Sequence, residues 1–358
     1  MSVVKMEYED KGMPFRRLGN SGLRVPVFSF GGWLTLGEDV IGDPVKDIMK
    51  VAFENGVNMF DTAEGYGAGN SEVEMGRVIK ELGLRRTDLI ITTKIFFGTR
   101  KNSPNDTGLS RKHIIEGAKL SLQRLQLDYV DVLFAHRPDP SVPMEEVVRA
   151  FNFVIDQGWA FYWATSEWSA FQVEEAMHVA DKLGLVAPIA DQAEKHMFHR
   201  ERVDKEYLPL FEKYQYGTTI WSALAGGMLT GKYNNGVPSD SRFAKHGEFY
   251  GWFLNQPEEA QRRITKVKAL TELAEKELGC TMTQLALAWV AVSPNTSTVI
   301  LGATKPAQVL ENLKAIQVIP KLTPAVLDRI EAILESKPAE EPLWGRPVLD
   351  KFGRQTQY

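Results

Sequence analysis

Asn58-Met-Phe-Asp61-Thr-Ala-Glu-Gly-Tyr66-Gly67 decides how the rest of the chain is read. Its first half is short and apolar, with Met59 and Phe60 running into Asp61. Its second half turns over glycines and carries Tyr66. An apolar run that empties into a carboxylate and a Gly-rich turn predicts a buried strand ending in a loop. In a barrel of parallel strands, that junction is where chemistry is placed.

Moving outward, the same unit repeats. Apolar strand patterns begin near residues 25, 58, 89, 129, 160, 187, 218 and 298. Helical patterns separate them, at 43–55, 71–81, 110–125, 144–157, 169–183 and 203–214, then 258–278 and 282–292. Helices 305–315 and 323–336 follow the last strand. Ser110 is placed to cap the helix that starts after it. Strict alternation argues for a parallel sheet. Eight units argue for a closed (β/α)8, or TIM, barrel rather than an open doubly wound sheet. Phe15–Leu18 and the turn Gly19–Gly22 add a hairpin before the barrel, and the last helices add to its C-terminal side. The expected organisation is a flexible N-terminus over 1–14, one barrel domain over 15–336 and an irregular tail over 337–358. Trp344 is a possible anchor for that tail across the barrel mouth. The segment 223–257 reads as a loop insertion, and loops of that length are usually functional.

The bulk properties exclude several classes. With 44% hydrophobic and 25% charged residues the chain is of ordinary globular composition. A net charge of -4 and no clustered basic face argue against nucleic acid. No apolar run follows Met1 and none approaches membrane-spanning length, so neither a signal peptide nor a span is read. Cys280 is the single cysteine, which rules out an internal disulfide and fits a reducing compartment. A cytoplasmic protein is expected.

Polar residues close the apolar strands: Asp61, Lys94, His136, Ser166, Gln192 and Ser222. In the predicted architecture all converge on one face. Taken singly, each has an ordinary structural job, such as a turn cap or a solvated strand end. Together, an ammonium, a carboxylate and an imidazole in one mouth are costly unless they pair. With Tyr66 one short turn past Asp61, the set suggests proton transfer by a tuned phenol. A free phenol titrates near ~10, too high for neutral acid–base work, and an adjacent ammonium would lower that value.

Cofactor motifs are sparse. Gly67-x-Gly69 is followed by Glu72 where a dinucleotide fingerprint wants glycine or alanine, and there is no Walker A sequence. His196 and His199 share a spacing but lack further ligands, so no metal site is read. Gly226-Gly227, Gly231-Lys232 and Ser241-Arg242 could cradle phosphate. The helix opening at Thr304-Lys305 offers free N–H groups to an anion.

The motifs resemble one family. Phe60-Asp61-Thr62-Ala63 with Tyr66, Ile91-Thr92-Thr93-Lys94 and Ala135-His136-Arg137-Pro138-Asp139 are similar to aldo-keto reductases. Gly108–His113, Leu122–Asp131, Tyr162–Ser166 and Gly231-Lys232-Tyr233 resemble the branch that contains voltage-gated potassium channel β subunits. The resemblance runs from Phe15 to Ser336. It implies a barrel that binds NADPH without a Rossmann fold and reduces a small-molecule carbonyl substrate. By resemblance, Tyr66 is the general acid, Asp61 and Lys94 tune it, and His136 orients the carbonyl. The carboxamide clamp falls on Ser166 and Gln192, and the ring-stacking and pyrophosphate loop on Trp221, Ser222, Ala223, Leu224, Ala225 and Gly226. Adenosine and 2′-phosphate contacts fall on Lys232, Ser241, Arg242, Thr304, Gln308, Glu311 and Asn312. Trp33, Asp61 and Gly302 complete the cofactor set. The resemblance also suggests a homo-tetramer.

Two positions depart from the family pattern: Lys195 stands where an aromatic is usual, and Ala223 where proline is usual. Three readings follow. The first is an NADPH-dependent carbonyl reductase. The second is a nicotinamide-binding auxiliary β subunit of a potassium channel, although little chain precedes Phe15 to act as a blocking peptide. The third is a reductase of secondary metabolism in which Lys195 joins the chemistry.

Overall fold

The computed structural model describes residues 5–100, 103–239, 241–245 and 256–339. Its chain begins with a hairpin, β1 (Phe15–Arg17) and β2 (Arg24–Pro26), paired antiparallel. Eight further strands close a parallel barrel: β3 (Phe28–Gly31), β4 (Met59–Asp61), β5 (Ile90–Ile95), β6 (Val130–Ala135), β7 (Ala160–Ser166), β8 (Ala190–Glu194), β9 (Gly217–Trp221) and β10 (Thr296–Leu301). β10 returns to pair with β3 and completes the ring. The expected (β/α)8 barrel is therefore the observed fold.

Helices lie between the strands: α1 (Asp43–Glu54), α2 (Asn70–Leu82), α3 (Arg111–Leu125), α4 (Met144–Asp156), α5 (Ala170–Leu183) and α6 (Leu208–Tyr214). After β9 come the short α7 (Arg242–Lys245), α8 (Pro257–Leu273) and α9 (Met282–Val292); after β10 come α10 (Pro306–Leu313) and α11 (Pro324–Leu334). Ser110 caps α3 as the sequence predicts, accepting from His113 N. Thr281 and Ser169 add reciprocal capping boxes to α9 and α5. Among the described residues no helix is long and apolar enough to cross a membrane.

Side-chain parity builds the site. Along a strand, alternate residues face opposite sides. Met59, Ile90, Val132, Phe134, Ala164 and Ala190 form one buried cluster inside the barrel, while Phe60, Ile91, Leu133 and Trp163 belong to the larger cluster shared with the helices. Two residues beyond Met59 stands Asp61; beyond Phe134, His136; beyond Ala164, Ser166; beyond Ala190, Gln192. Lys94 lies two beyond Thr92, itself registered against Asp61. The inward row thus turns from apolar to polar on approaching the mouth. Leu18 and Val25 of the hairpin join the inner apolar cluster, so the hairpin closes the floor.

The boundaries differ where proline or a bend intervenes. The pattern starting at Val25 splits: Val25-Pro26 belongs to the hairpin, and the barrel strand starts at Phe28. β8 begins at Ala190 rather than 187, because Pro188 has no N–H for a ladder. The helix expected over 203–214 is a π-helical turn, Arg202–Glu206, followed by α6, which restarts with Pro209 in its first turn. Residues 5–14, expected to be loose, lie against the barrel. Tyr8 Oη donates to the Gly56 carbonyl at 2.9 Å, Met6 bridges to Leu84, and Met13 is buried. The tail beyond residue 339, with Trp344, and residues 246–255 of the insertion lie outside the described residues.

Candidate active site

Lys94 is the centre of the site. Its ammonium is fully buried and all three of its protons are used. Nζ donates to Asp61 Oδ2 at 2.5 Å, to the Thr62 carbonyl oxygen at 2.7 Å and to Tyr66 Oη at 3.1 Å. Asp61 in turn accepts at Oδ1 from Thr92 Oγ1 at 2.6 Å and from Gln192 Nε2 at 3.1 Å. Burial alone would push the Lys94 ammonium down; the Asp61 carboxylate and Tyr66 oxygen outweigh it, and the net shift is upward. Lys94 is therefore a fixed cation.

Tyr66 sits on the turn after β4, where Gly67 and Ala68 both take left-handed backbone conformations, φ 55 and 52. An alanine there is strained, and such strain concentrates at functional sites. The tuning of the phenol differs from the sequence expectation. Burial pushes Tyr66 up, Lys94 pulls it back, and Asp61 raises it again, leaving the phenol above its ordinary value of 10. The reason is that Lys94 arrives already paired. The phenol meets an ion pair, not a bare ammonium, and desolvation of a phenolate wins.

His136 stands beside it, with ring centroids 5.6 Å from Tyr66 and 4.9 Å from Phe97, both edge-on. Burial, then the nearby Lys94 and Arg137, hold the imidazole well below its ordinary pKa, so it is neutral. Its Nδ1 is buried without a hydrogen-bond partner among the described residues.

These groups open into one cavity of about 1490 Å³. It is lined by Asp61, Tyr66, His136, Ser166 and Gln192 at one end and runs to Gln308, Glu311 and Asn312. Trp33 and Trp221 meet edge-to-face across a wall at 5.7 Å. Trp221 is pinned by its Nε1, which donates to Glu167 Oε1 at 2.7 Å. Ser222, Ala223, Leu224 and Gly226 continue the wall, and Lys232, Ser241, Gly302 and Thr304 line its far part. Ala225, expected among the cofactor contacts, is not in the lining: it is packed in the core, where its N–H closes the turn onto the Ser222 carbonyl at 2.7 Å. The side chain of Arg242 lies outside the described residues.

Lys195 is corrected more sharply. It does not line the cavity. Its buried Nζ pairs with Asp204 Oδ1 at 2.6 Å and lies over the Trp289 ring. Parity explains this: Gln192 faces inward, so the side chain three residues on leaves the barrel interior.

Comparison with known proteins gives the family. The model of the aldo/keto reductase family matches residues 28–335, from the first barrel strand to just past α11. The chain belongs to the aldo/keto reductase family. An Arabidopsis thaliana protein named "Probable voltage-gated potassium channel subunit beta" is 53% identical over 329 residues, covering 91% of this chain and 98% of that protein. A protein of Oryza sativa subsp. japonica with the same name is 50% identical over 327 residues, again 91% and 98%. A Schizosaccharomyces pombe protein, provisionally named as such a beta subunit, is 51% identical over 341 residues, 95% of this chain and 98% of that one.

Several lining residues escaped the sequence reading. Phe97 and Arg100 follow β5, and Arg137 follows His136. The buried Glu64 shapes this side: its Oε1 accepts from Phe96 N at 2.7 Å and Gly98 N at 2.9 Å and contacts His113 Nε2 at 2.9 Å. The available signal was an aromatic pair before Gly98, just past a strand end.

Proposed function

We propose that this aldo/keto reductase family member reduces small carbonyl compounds with NADPH, with Tyr66 as the proton donor. One observation carries the reading: Lys94 Nζ joins the Asp61 carboxylate to the Tyr66 hydroxyl at the end of a long cavity. The cavity exceeds the ~300–1,000 Å³ of a typical small-ligand pocket, as a dinucleotide plus substrate requires. A Cβ on Gly302 would meet nothing within 4 Å, which leaves room for a ligand against the backbone there.

When bound, the reduced nicotinamide supplies the hydride that adds to the carbonyl carbon. The chain's part is to bind, orient and move one proton. Ser166 and Gln192 are the candidates for the carboxamide, and Trp221 with Ser222, Ala223, Leu224 and Gly226 for the ring and pyrophosphate. Lys232, Ser241, Thr304, Gln308, Glu311 and Asn312 are the candidates for the adenosine end. Lys232 favours the additional phosphate of NADPH over NADH. Tyr66, protonated at neutral pH, gives its proton to the oxygen of the forming alcohol. Lys94 stabilises the phenolate left behind, and Asp61 keeps Lys94 charged. His136, neutral, offers an N–H to the carbonyl oxygen.

The test is loss of NADPH absorbance against a panel of aldehydes and ketones, with Tyr66→Phe in parallel. Turnover by wild type and its loss in the variant are expected; equal rates would refute the assignment.

A second reading rests on the names of the relatives at 50–53% identity. In it the chain is an auxiliary channel subunit that senses nicotinamide, and assembles as a tetramer. Recovery of a channel protein with the tagged chain from native membranes tests it, and a monomer in solution that captures no channel would remove it.

A further inference from the structure

One charge at the mouth has no task in the chemistry above. Arg137 lines the cavity and is half-buried. Its Nη1 donates to the His136 carbonyl oxygen at 2.5 Å and to Ser166 Oγ at 3.2 Å, both neutral acceptors. Among the described residues no carboxylate pairs with it. Two acids that line the cavity are paired with other cations: Asp61 with Lys94 and Glu311 with Lys314. The Lys94–Asp61 pair is neutral overall, so among the described residues Arg137 is a half-buried, uncompensated charge next to the reacting end, where Arg100, the other arginine of that lining, is exposed to solvent. A guanidinium carries five N–H donors in a planar fork, and only one nitrogen is engaged here. A half-buried cation without an anion is unfavourable, and the fork matches a carboxylate. Beside it the exposed Phe97 ring lies 5.9 Å from the guanidinium carbon and edge-on to His136.

We propose that Arg137 and Phe97 form an anion subsite, so that preferred substrates carry a carboxylate on a flat body within about one ring of the reacting carbonyl. The proposal rests on the reductase reading for its substrate, though not for its binding site. Arg137 is then a specificity-determining residue, and His136 and Tyr66 work on a carbonyl that it has oriented.

The experiment compares kcat/KM for 3- and 4-carboxybenzaldehyde with that for their methyl esters. A charge-assisted hydrogen bond of ordinary strength implies a preference of at least ~10-fold for the acid in wild type. That ratio falls to near 1 in Arg137→Gln and partly survives in Arg137→Lys, which keeps the charge but loses the fork. Equal rates for acid and ester in wild type overturn the proposal, whatever the variants do. So does a preference that persists in Arg137→Gln. Calorimetric titration with benzoate against benzamide, without turnover, keeps the two readings apart. Benzoate binding that is lost in Arg137→Gln supports the subsite even if no carbonyl is reduced. No selective benzoate binding, beside active reduction of the esters, leaves the reductase standing and removes the subsite.

Discussion

The two ends of the cavity are built on different principles. At the Tyr66 end, polar groups stand buried on strand ends, and Lys94, Asp61, Thr92 and Gln192 satisfy one another in one hydrogen-bonded chain. At the far end, Lys232 and Gln308 are exposed and sit on loops or a helix start, with Ser241 buried between them in sequence. A proton donor must be held within a fraction of an ångström, which rigid strands provide. A phosphate tolerates several placements of a flexible cation, which loops provide. The first end should therefore fail abruptly when changed, and the second gradually.

The largest effect is expected at Tyr66. Tyr66→Phe keeps the ring and its packing but removes the proton, and general acid catalysis typically contributes 10²–10⁴-fold. Turnover should fall by about that factor while NADPH still quenches tryptophan fluorescence. Loss of NADPH binding as well would mean that the two ends are not separable.

Next comes the ion pair. Asp61→Asn leaves the fully buried Lys94 ammonium without its counter-charge. Removing one partner of a buried pair costs about 3–5 kcal/mol. Urea unfolding should read a loss of that size, and an unchanged midpoint would show that Lys94 is solvated or neutral. A third change acts below the site. Leu18 is fully buried in the hairpin that closes the floor. Leu18→Ala should cost about 2–5 kcal/mol of stability. If it also altered NADPH affinity, floor and mouth would be coupled through the barrel core.

At the distal end, Lys232→Ala should weaken NADPH by about tenfold and NADH by less, because the exposed ammonium is screened by water and salt. The loss should shrink further at high ionic strength. A hundredfold loss, insensitive to salt, would mean that the cation is buried by the bound nucleotide and that the contrast between the two ends is weaker than drawn.

The same contrast governed what could be read from the sequence. Strand parity is a strict rule, so Asp61, Lys94, His136, Ser166 and Gln192 could be placed together before any coordinates. It also shows why Lys195 could not join them, although its place at a position where the family usually has an aromatic suggested that it would. The direction of the Tyr66 shift was not legible, because it depends on how deeply the hydroxyl sits and on how fully Asp61 neutralises Lys94. Loop residues obey no period. Phe97 and Arg137 were missed because whether a residue one or two beyond a strand end faces the cavity depends on side chains such as Glu64, distant in sequence. Ala225 was placed in the lining because its neighbours are; its backbone turns it into the core.

The smallest predicted effect concerns His136 and pH. The folded protein holds this imidazole well below its ordinary 6.5, with burial as the chief cause. Above pH 6.5 it is neutral in both folded and unfolded chains and does not affect stability. As pH falls below 6.5, the unfolded chain takes up a proton that the folded site refuses, so stability is lost toward the folded-state pKa. The slope from one such group is about 1.4 kcal/mol per pH unit. Between pH 7 and pH 5 the wild type should therefore lose more stability than His136→Asn in urea unfolding, the gap opening as pH falls below 6.5. His196, which is also held low, titrates in both proteins and cancels in the difference. Tyr66 shifts the opposite way: its raised pKa gives stability that is present below pH 10 and lost only as pH rises beyond it. An acid-side difference of zero between the two proteins would mean that His136 accepts a proton in the folded state. Next to Lys94 and Arg137, that would require an anion in the mouth, and repeating the measurement with benzoate present would show whether one had bound.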